Sequence, residues 1–543
     1  MYNSYTPRDS LRSPYGPAVG CYSATLRFSP AFALQGSSSQ DHKQVLRIHM
    51  QNCLAAHASR SVFNSRPVTR ARAFRCSLRQ SSLRTHLINA VRDAWQHMPT
   101  HQRVWALTAP MILCNLSVPL VALVDSAVIG HLPHAHQLAA VAVGASLYGV
   151  LVGSVGFLRM GTTGFTAQAA GRQDGSALRQ VLLQALLLGG ALALALSLLM
   201  SLLSAPILTL MQPSAQLDEL ARHYLHIRLL GLPGALASFA LVGWLLGTQN
   251  ARGPVLIMLG TNLLNVALTL LFVLGLGWEV AGAAWGSVLA EWSGAILGLW
   301  LARQTLKRQA GAICWPDLRL WRNWRPLLAV NRDIFIRTLA LQAAFLLITV
   351  QGTRLGDATV AANALLLNGL MLSAFALDGL AHAVEALGGH ALGARDRLAL
   401  RRSLVVAGIW SLLASLLFAL FFWLAGHWFI GLQTDIAAVR SMALSYLPYL
   451  ALLPLIAVWS YVLDGLFIGA TRAREMRNAM LIALLLSLPL AWWLQTLGNH
   501  GVWLALLTFM ALRGLCLGGY AYRLTRANQW FAPSQPGTPH AQS

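Results

Sequence analysis

The sequence predicts an all-α integral membrane protein. Of its 543 residues, 56% are hydrophobic and only 11% are charged, whereas soluble domains carry about 25% charged residues; the mean hydropathy is +0.56. Apolar residues are collected in long runs such as VLLQALLLGGALALALSLLMSLL and SLVVAGIWSLLASLLFALFFWLAG. Each run reaches the roughly 20 residues that a helix needs to cross a bilayer, and the sequence lacks the alternating pattern of membrane β-strands.

Twelve membrane-spanning helices are predicted from these runs. We number the predicted spans 1 to 12 in chain order. They cover 103–129, 138–168, 178–205, 220–246, 254–276, 280–302, 326–350, 358–388, 399–425, 437–467, 475–497 and 500–522.

The net charge of +22 lies mostly in the N-terminal extension and in short loops. Sixteen Lys and Arg residues follow even-numbered spans: Arg172, Arg179, Arg252, Arg303, Lys307, Arg308, Arg319, Arg322, Arg325, Arg395, Arg397, Arg401, Arg402, Arg472, Arg474 and Arg477. Loops after odd-numbered spans offer only Arg222, Arg228, Arg354 and Arg440. Positive loop charge marks the cytoplasmic side, so both termini are predicted to be cytoplasmic, and the basic balance does not indicate nucleic-acid binding.

Four regions are predicted. Residues 1–97 are a basic extension without a spanning run, residues 98–310 and 311–525 hold six spans each, and residues 526–543 are a short polar tail. The extension fits a transit peptide, a disordered basic tail, or a start placed too far upstream, with Met98 as the natural start. The six cysteines form no CxxC pair and no His cluster, so neither a disulfide nor a metal site nor any other cofactor is predicted.

An internal repeat relates the two six-span regions. The shift along the chain that places Gly171 on Gly393, here called the repeat offset, also places AAGRQDGSALR on the last eleven residues of HALGARDRLALR. The segment GWLLGTQNAR falls in the same way on GLFIGATRAR. Six crossings return a chain to its starting side, so the halves have the same orientation, a recurring plan among transporters that expose a central site alternately to the two sides.

Charged side chains inside predicted spans are costly and therefore mark candidate functional residues. Asp125 lies near the end of span 1, six residues after Pro119, which removes a helical hydrogen bond and permits a bend. Burial disfavours the ionised form of a carboxylate, so a carboxylate here is suited to take up a proton on one side and release it on the other. The alternative is a structural partner to a buried donor.

The remaining candidates are distributed over five spans. Asp378 and Glu385 are seven residues apart and so lie on one face of span 8, and Arg159 is the basic residue within span 2. An ion pair between Arg159 and a carboxylate that only joins helices is the competing interpretation. The other candidate polar residues are Asn262, Asn265, Ser287, Glu291 and Asp464.

Several motifs give the chain a family resemblance over about residues 98–525. It is similar to the multidrug and toxic compound extrusion (MATE) family, in particular the branch named after the DNA-damage-inducible protein F (DinF). The motifs are PMILCNLSVPLVALVDSAVIGHL, VAVGAS, FLRMGTTGFTAQAAG, ALDGLAHAVEALGGHALGARD and YVLDGLFIGATRAREMRNAM. The resemblance implies two six-helix lobes that export organic, often cationic, compounds in exchange for protons or sodium ions, with Asp125 as the coupling residue.

One departure from the family pattern bears on the coupling ion. Relatives often carry an acidic residue four positions after the span 5 asparagine, and here Asn265 is followed at that spacing by Thr269. Ser287 stands where a span 6 threonine is common. Losing a carboxylate weakens a site for a hard cation, so the sequence favours proton over sodium coupling.

The resulting expectation is a drug/proton antiporter of the bacterial inner membrane that binds small-molecule substrates, acts as a monomer and binds no nucleic acid. A flippase for lipid-linked sugars is an alternative, but its cavity would need several cationic side chains for pyrophosphate. A membrane-embedded enzyme is disfavoured, because HExxH, GxSxG and paired intramembrane His motifs are missing.

Overall fold

The computed structural model describes residues 89–130, 134–211, 214–313 and 315–531. The chain divides into a unit over Met1–Ser81 and a unit over Ser82–Ser543, and every described residue belongs to the second. Most of the predicted extension, residues 1–88, therefore lies outside the described residues. Residues 89–96 are helical, and Asp93 in this segment pairs with Arg401 and Arg402 at 3.4 and 3.3 Å.

Fifteen α-helices follow this segment in the described chain, joined by short turns. Their bounds are α1 Met98–Gly130, α2 Ala135–Ser154, α3 Phe157–Gly171, α4 Gly175–Met211, α5 Ala215–Leu229, α6 Leu232–Gly247, α7 Arg252–Leu270, α8 Glu279–Lys307, α9 Trp315–Arg319, α10 Trp321–Thr353, α11 Asp357–Gly393, α12 Arg397–Gly431, α13 Ala437–Gly469, α14 Ala473–Leu494 and α15 Asn499–Arg526. A π-turn, Leu271–Gly275, extends α7, and 3₁₀ turns follow α14 and α15.

These helices agree with the twelve predicted spans when α2–α3 and α5–α6 are each taken as one span. Within the described ranges nine helices are long and apolar enough to cross a membrane, or ten when the bent pair α5–α6 counts as one. The other two predicted spans are α1 and α8, which are 33 and 29 residues long. The protein is an all-α integral membrane protein.

The helices of each repeat pack mainly among themselves, and α11 joins the two repeats. In the first repeat α3 packs on α6, α6 on α8, and α7 on both α1 and α8. In the second, α13 packs on α11, α12 and α15, and α14 packs on α10 and α15. Across the repeats α11 packs against α1 and α3, and α3 also meets α10 and α13.

The repeat offset recurs in the backbone itself. Gln173 and Gln249 have left-handed φ values of 57° and 60° at the ends of α3 and α6. Their counterparts Arg395 and Thr471 have φ values of 55° and 54° at the ends of α11 and α13. A residue with positive φ after a helix is a common way to end it, and here the same ending is used at the same two places in each repeat.

Glycines at repeat-related positions permit the closest helix contacts. A Cβ at Gly243 would collide with the backbone oxygen of Arg159, and a Cβ at Gly465 would collide with that of Ala381, the repeat counterpart of Arg159. Glycines permit the same close approach at the junction between the repeats. A Cβ on Gly171 would collide with the His390 backbone oxygen, and a Cβ on Gly393 would collide with that of Gln168. Small residues let helix backbones approach closely in membranes.

Candidate functional site

A buried charged cluster in the second repeat centres on Asp464 of α13. Arg337 of α10 and Arg513 of α15 both donate hydrogen bonds to its Oδ2 atom and form ion pairs with it. The side chain of Asp464 is 8% exposed, that of Arg337 9% and that of Arg513 2%. One carboxylate therefore joins three helices, and its charge is already balanced by two guanidinium groups.

A second group of charges lies where α3 meets α11. Asp378 and Glu385 of α11 are both within electrostatic range of Arg159 of α3, and Asp378 is also within range of the Arg337–Asp464–Arg513 cluster. His382 lies on the same part of α11 and is buried. The structure thus brings together four of the predicted polar candidates, from three different spans.

This second group contains polar atoms without hydrogen-bond partners. The Nη1 atom of Arg159 and the Oε1 atom of Glu385 are both buried and unpaired. An unpaired buried polar atom costs free energy, so a group in this state is suited to bind a proton, a water molecule or a polar part of a substrate. The Oδ1 atom of Asp464 and the Nε atoms of Arg337 and Arg513 are in the same state, so unpaired polar atoms occur in both charged groups.

Glu291, the predicted candidate in span 6, belongs to a separate network in the first repeat. Arg228 of α5 forms an ion pair with it at 2.9 Å. Tyr148 of α2 donates from its hydroxyl to both carboxylate oxygens, at 3.1 and 3.0 Å. The Arg228 guanidinium lies over the Tyr148 ring, 3.9 Å from its centroid. Glu291 is therefore held by two helices at once.

The neutral candidates of spans 5 and 6 form short hydrogen bonds near α1. Asn265 donates to the Ser287 hydroxyl at 2.8 Å, and both are buried. Asn262 donates to the Ser117 hydroxyl of α1 at 2.6 Å. Thr269 is fully buried, and its Oγ1 atom has no hydrogen-bond partner. Asn262, Asn265, Ser287 and Thr269 therefore supply only neutral polar groups, and the Asn262–Ser117 hydrogen bond links α7 to α1.

Asp125, the predicted coupling residue, lies in α1, between Pro119 and the helix end at Gly130. Its side chain lies outside the described residues, so its role stays a prediction. The helix α1 packs against α7, which carries Asn262 and Asn265. It also packs against α11, which carries Asp378 and Glu385.

Sequence reasoning missed four members of these networks: Tyr148, Arg228, Arg337 and Arg513. A signal for two of them was present, since Arg337 and Arg513 fall inside predicted spans 7 and 12, where charges are rare. Arg228 looked like a loop charge near the start of span 4. Tyr148 could not be singled out, because tyrosines are common in membrane helices.

Two repeated bundles with buried charges at and near their junction define a membrane transporter. The sequence profile of the MatE family matches the chain twice, at residues 110–271 and 334–493. The second match begins close to where the repeat offset places the start of the first. The chain belongs to the MATE (MatE) family of membrane transporters, which are not enzymes.

Curated relatives and solved structures agree with this assignment. The chain is 45% identical to the DNA damage-inducible protein F of Escherichia coli K12, covering 79% of this chain and 94% of the relative. It is 26% identical to the probable multidrug resistance protein NorM of Rhizobium meliloti, covering 79% and 94%. The crystal structure described as MATE in the bent conformation shares the fold, with a TM-score of 0.72, 20% identity, and coverage of 81% and 98%.

Proposed function

We propose that this transporter exports organic, often cationic, compounds in antiport with protons, with Asp125 as the coupling carboxylate. The observation that carries the proposal is the combination of 45% identity to the DNA damage-inducible protein F with an aspartate in the first membrane helix, α1. A carboxylate in that position can bind either a proton or, when ionised, favour a cationic substrate. Mutually exclusive occupancy of one carboxylate is sufficient to couple the two fluxes.

The neighbourhood of α1 supports protons over sodium ions. Asn265, Ser287 and Thr269 are neutral and buried, and Asn265 donates to the Ser287 hydroxyl, which donates in turn to the Ala283 oxygen. A sodium site gains affinity from charged oxygen ligands, and Asp125 would be the single carboxylate here. A proton needs no coordination shell, so one carboxylate is enough.

The buried arginines give little support to the flippase alternative. A pyrophosphate-binding cavity requires guanidinium groups that are free to bind phosphate. Arg337 and Arg513 are committed to Asp464, and Arg228 is committed to Glu291. Among the described arginines outside these ion pairs, Arg159 alone has a buried nitrogen without a partner. One available guanidinium is a weak basis for binding a diphosphate.

We further propose the inner membrane of a bacterium as the location, with both termini in the cytoplasm and the monomer as the active unit. The asymmetry of loop charges supports the orientation. Single-cysteine variants at positions 310 and 397 should be labelled by an impermeant reagent only from the cytoplasmic side. Labelling of both from the opposite side would contradict the orientation.

The direct test of the coupling ion uses purified protein in liposomes. A lipophilic fluorescent cation serves as substrate, and either a proton or a sodium gradient is imposed at zero membrane potential. We expect substrate to accumulate against its gradient when protons flow down theirs, and not with sodium alone. Accumulation driven by sodium at constant pH would replace proton coupling with sodium coupling. Movement of a lipid-linked sugar, without cation transport, would favour the flippase.

A further inference from the structure

Spans 2 and 4 of the first repeat are each interrupted within the membrane. Span 2 breaks at Val155–Gly156, between α2 and α3. Span 4 breaks at Leu230–Gly231, where α5 and α6 are bent by 45°. Side chains from both breaks pack into the same hydrophobic cluster, which includes Val155, Leu229 and Leu232. The two interruptions are therefore at the same level of the bundle.

The interruptions divide the two spans into matched segments. The first segments, α2 and α5, pack against each other, and the second segments, α3 and α6, pack against each other. The contacts between α2 and α6 are few by comparison. Span 2 continues through its turn as one span, while span 4 is bent at its break. Because α2 pairs with α5, a change in the bend of span 4 would move the two first segments together.

The Arg228–Glu291–Tyr148 network lies directly on this bend. Arg228 immediately precedes the break in span 4, Tyr148 is on the paired first segment α2, and Glu291 is on the uninterrupted helix α8. A Cβ on Gly231 would collide with the Glu291 Oε2 atom. The Trp292 indole donates to the Leu230 oxygen at 3.0 Å, which satisfies a carbonyl that the break leaves without a helical partner.

Among its described residues, the second repeat has neither an interrupted counterpart of spans 2 and 4 nor a counterpart of the Arg228–Glu291 ion pair. The counterparts of spans 2 and 4 are α11 and α13, and each is one continuous helix. At the repeat offset Tyr148, Arg228 and Glu291 correspond to Leu370, Leu450 and Arg513, and the break at Gly231 corresponds to Leu453. The break and its ion pair therefore occur together in the first repeat, whereas the second has a continuous helix with Pro454 beside the corresponding position.

We propose that Arg228, Glu291 and Tyr148 form a clasp that sets the bend of span 4 and so positions the first segments α2 and α5 during transport. The three are positioning residues that act through the shape of the first repeat. Their role does not depend on which ion drives transport, so proton coupling and the clasp can fail independently.

The bend can be measured by electron–electron double resonance between spin labels at positions 219 and 252. Both native residues, Glu219 and Arg252, are exposed, and they flank the bent pair α5–α6. At 1.5 Å per helical residue, straightening a 45° bend would lengthen this distance by about 3–4 Å. The labelled protein, with its cysteines replaced and its transport verified, is the reference.

The decisive variant is Arg228→Met/Glu291→Leu, which removes both charges. Replacing a buried ion pair by apolar residues of similar size preserves stability, so this double variant should fold and insert as well as the reference. We expect its distance distribution to broaden toward longer values and its transport rate to fall at least tenfold. Substrate binding affinity should change less than threefold, because positioning residues act on the movement of the helices rather than on binding.

Two companion variants separate the clasp from general ion-pair effects. Asp218→Asn removes the Arg222–Asp218 pair on the same helix, where both side chains are 30% exposed, and should leave distance and rate unchanged. Tyr148→Phe keeps the ring beneath Arg228 but removes the hydroxyl, and should give a smaller change than the double variant. A double variant that keeps the reference distance distribution and transport rate would overturn the proposal.

Discussion

The two repeats share a backbone framework but differ in their charges. The helix ends after α3 and α6 match those after α11 and α13, and Gly243 and Gly465 permit the same close contact in each repeat. At the position where the first repeat has Glu291, paired with Arg228, the second has Arg513, paired with Asp464. The ion pair of the first repeat lies beside a bend, and that of the second joins three continuous helices.

This contrast shows which features a duplicated bundle can change. A glycine against a neighbouring backbone cannot be enlarged without moving a whole helix, so both copies keep it. A buried charge can be changed if its partner changes too, so each repeat carries its own pairs. In the mechanism proposed above, both the coupling residue Asp125 and the clasp lie in the first repeat.

The largest effect is expected at Asp464. Asp464→Asn would leave Arg337 and Arg513 facing each other in the membrane without the carboxylate that pairs with both. Loss of one partner of a buried ion pair costs about 3–5 kcal/mol. We expect a markedly lower thermal unfolding temperature in detergent and a lower yield of folded protein.

Asp435→Asn is the matched control, because Asp435 is an exposed residue between α12 and α13. It should change the free energy of unfolding by less than about 0.5 kcal/mol. A wild-type melting temperature for Asp464→Asn would show that the second repeat does not depend on this cluster for rigidity.

The shared framework can be tested with paired glycine substitutions. Gly243→Ala and Gly465→Ala each place a Cβ against a backbone oxygen, and overpacking of this kind costs about 1–3 kcal/mol. Equal costs in the two repeats would support a common framework, measured by denaturant unfolding. Gly408→Ala, where a Cβ meets nothing within 4 Å, should instead be neutral or stabilising. A large cost in one repeat alone would contradict the shared framework.

The smallest effect concerns the helical segment 89–96 that precedes α1. Hydrogen bonding to Arg402, with the charges of Arg402 and Arg401, lowers the pKa of Asp93 from its usual 3.8. The pairing therefore contributes above about that pH and is lost as the pH falls through the lowered pKa. Hydrogen exchange of residues 89–96 at pH 6 should be slightly faster in Asp93→Asn. Identical exchange would show that the ion pairs do not hold the segment.

Much of the fold could be predicted from the sequence, because each span is a separate apolar run and the repeat can be recognised from glycines at matching positions. The interruptions of spans 2 and 4 could not, since Gly156 and Gly231 resemble the many glycines that only permit close packing. The ion pairs could not be predicted from the sequence either. Arg337, Asp464 and Arg513 are far apart in the chain, and only their packing shows that two guanidinium groups share one carboxylate.

That packing changes the interpretation of Asp464 but not that of Asp125. With two arginines bound, Asp464 is a structural centre, although its Oδ1 atom, like atoms of Arg159 and Glu385 at the junction of the repeats, has no hydrogen-bond partner. Protonation can drive a conformational change only if the two conformations bind the proton unequally. A carboxylate that is not neutralised by a fixed partner meets that requirement more readily.

The central claim, that coupling resides in the first repeat, is tested most directly by Asp125→Asn in liposomes. Asparagine keeps the size of the side chain and fixes it in a neutral form. We predict that the variant folds and inserts like the wild type but no longer accumulates the cationic substrate when a proton gradient is imposed. Accumulation at the wild-type rate, with the wild-type dependence on the gradient, would contradict the claim.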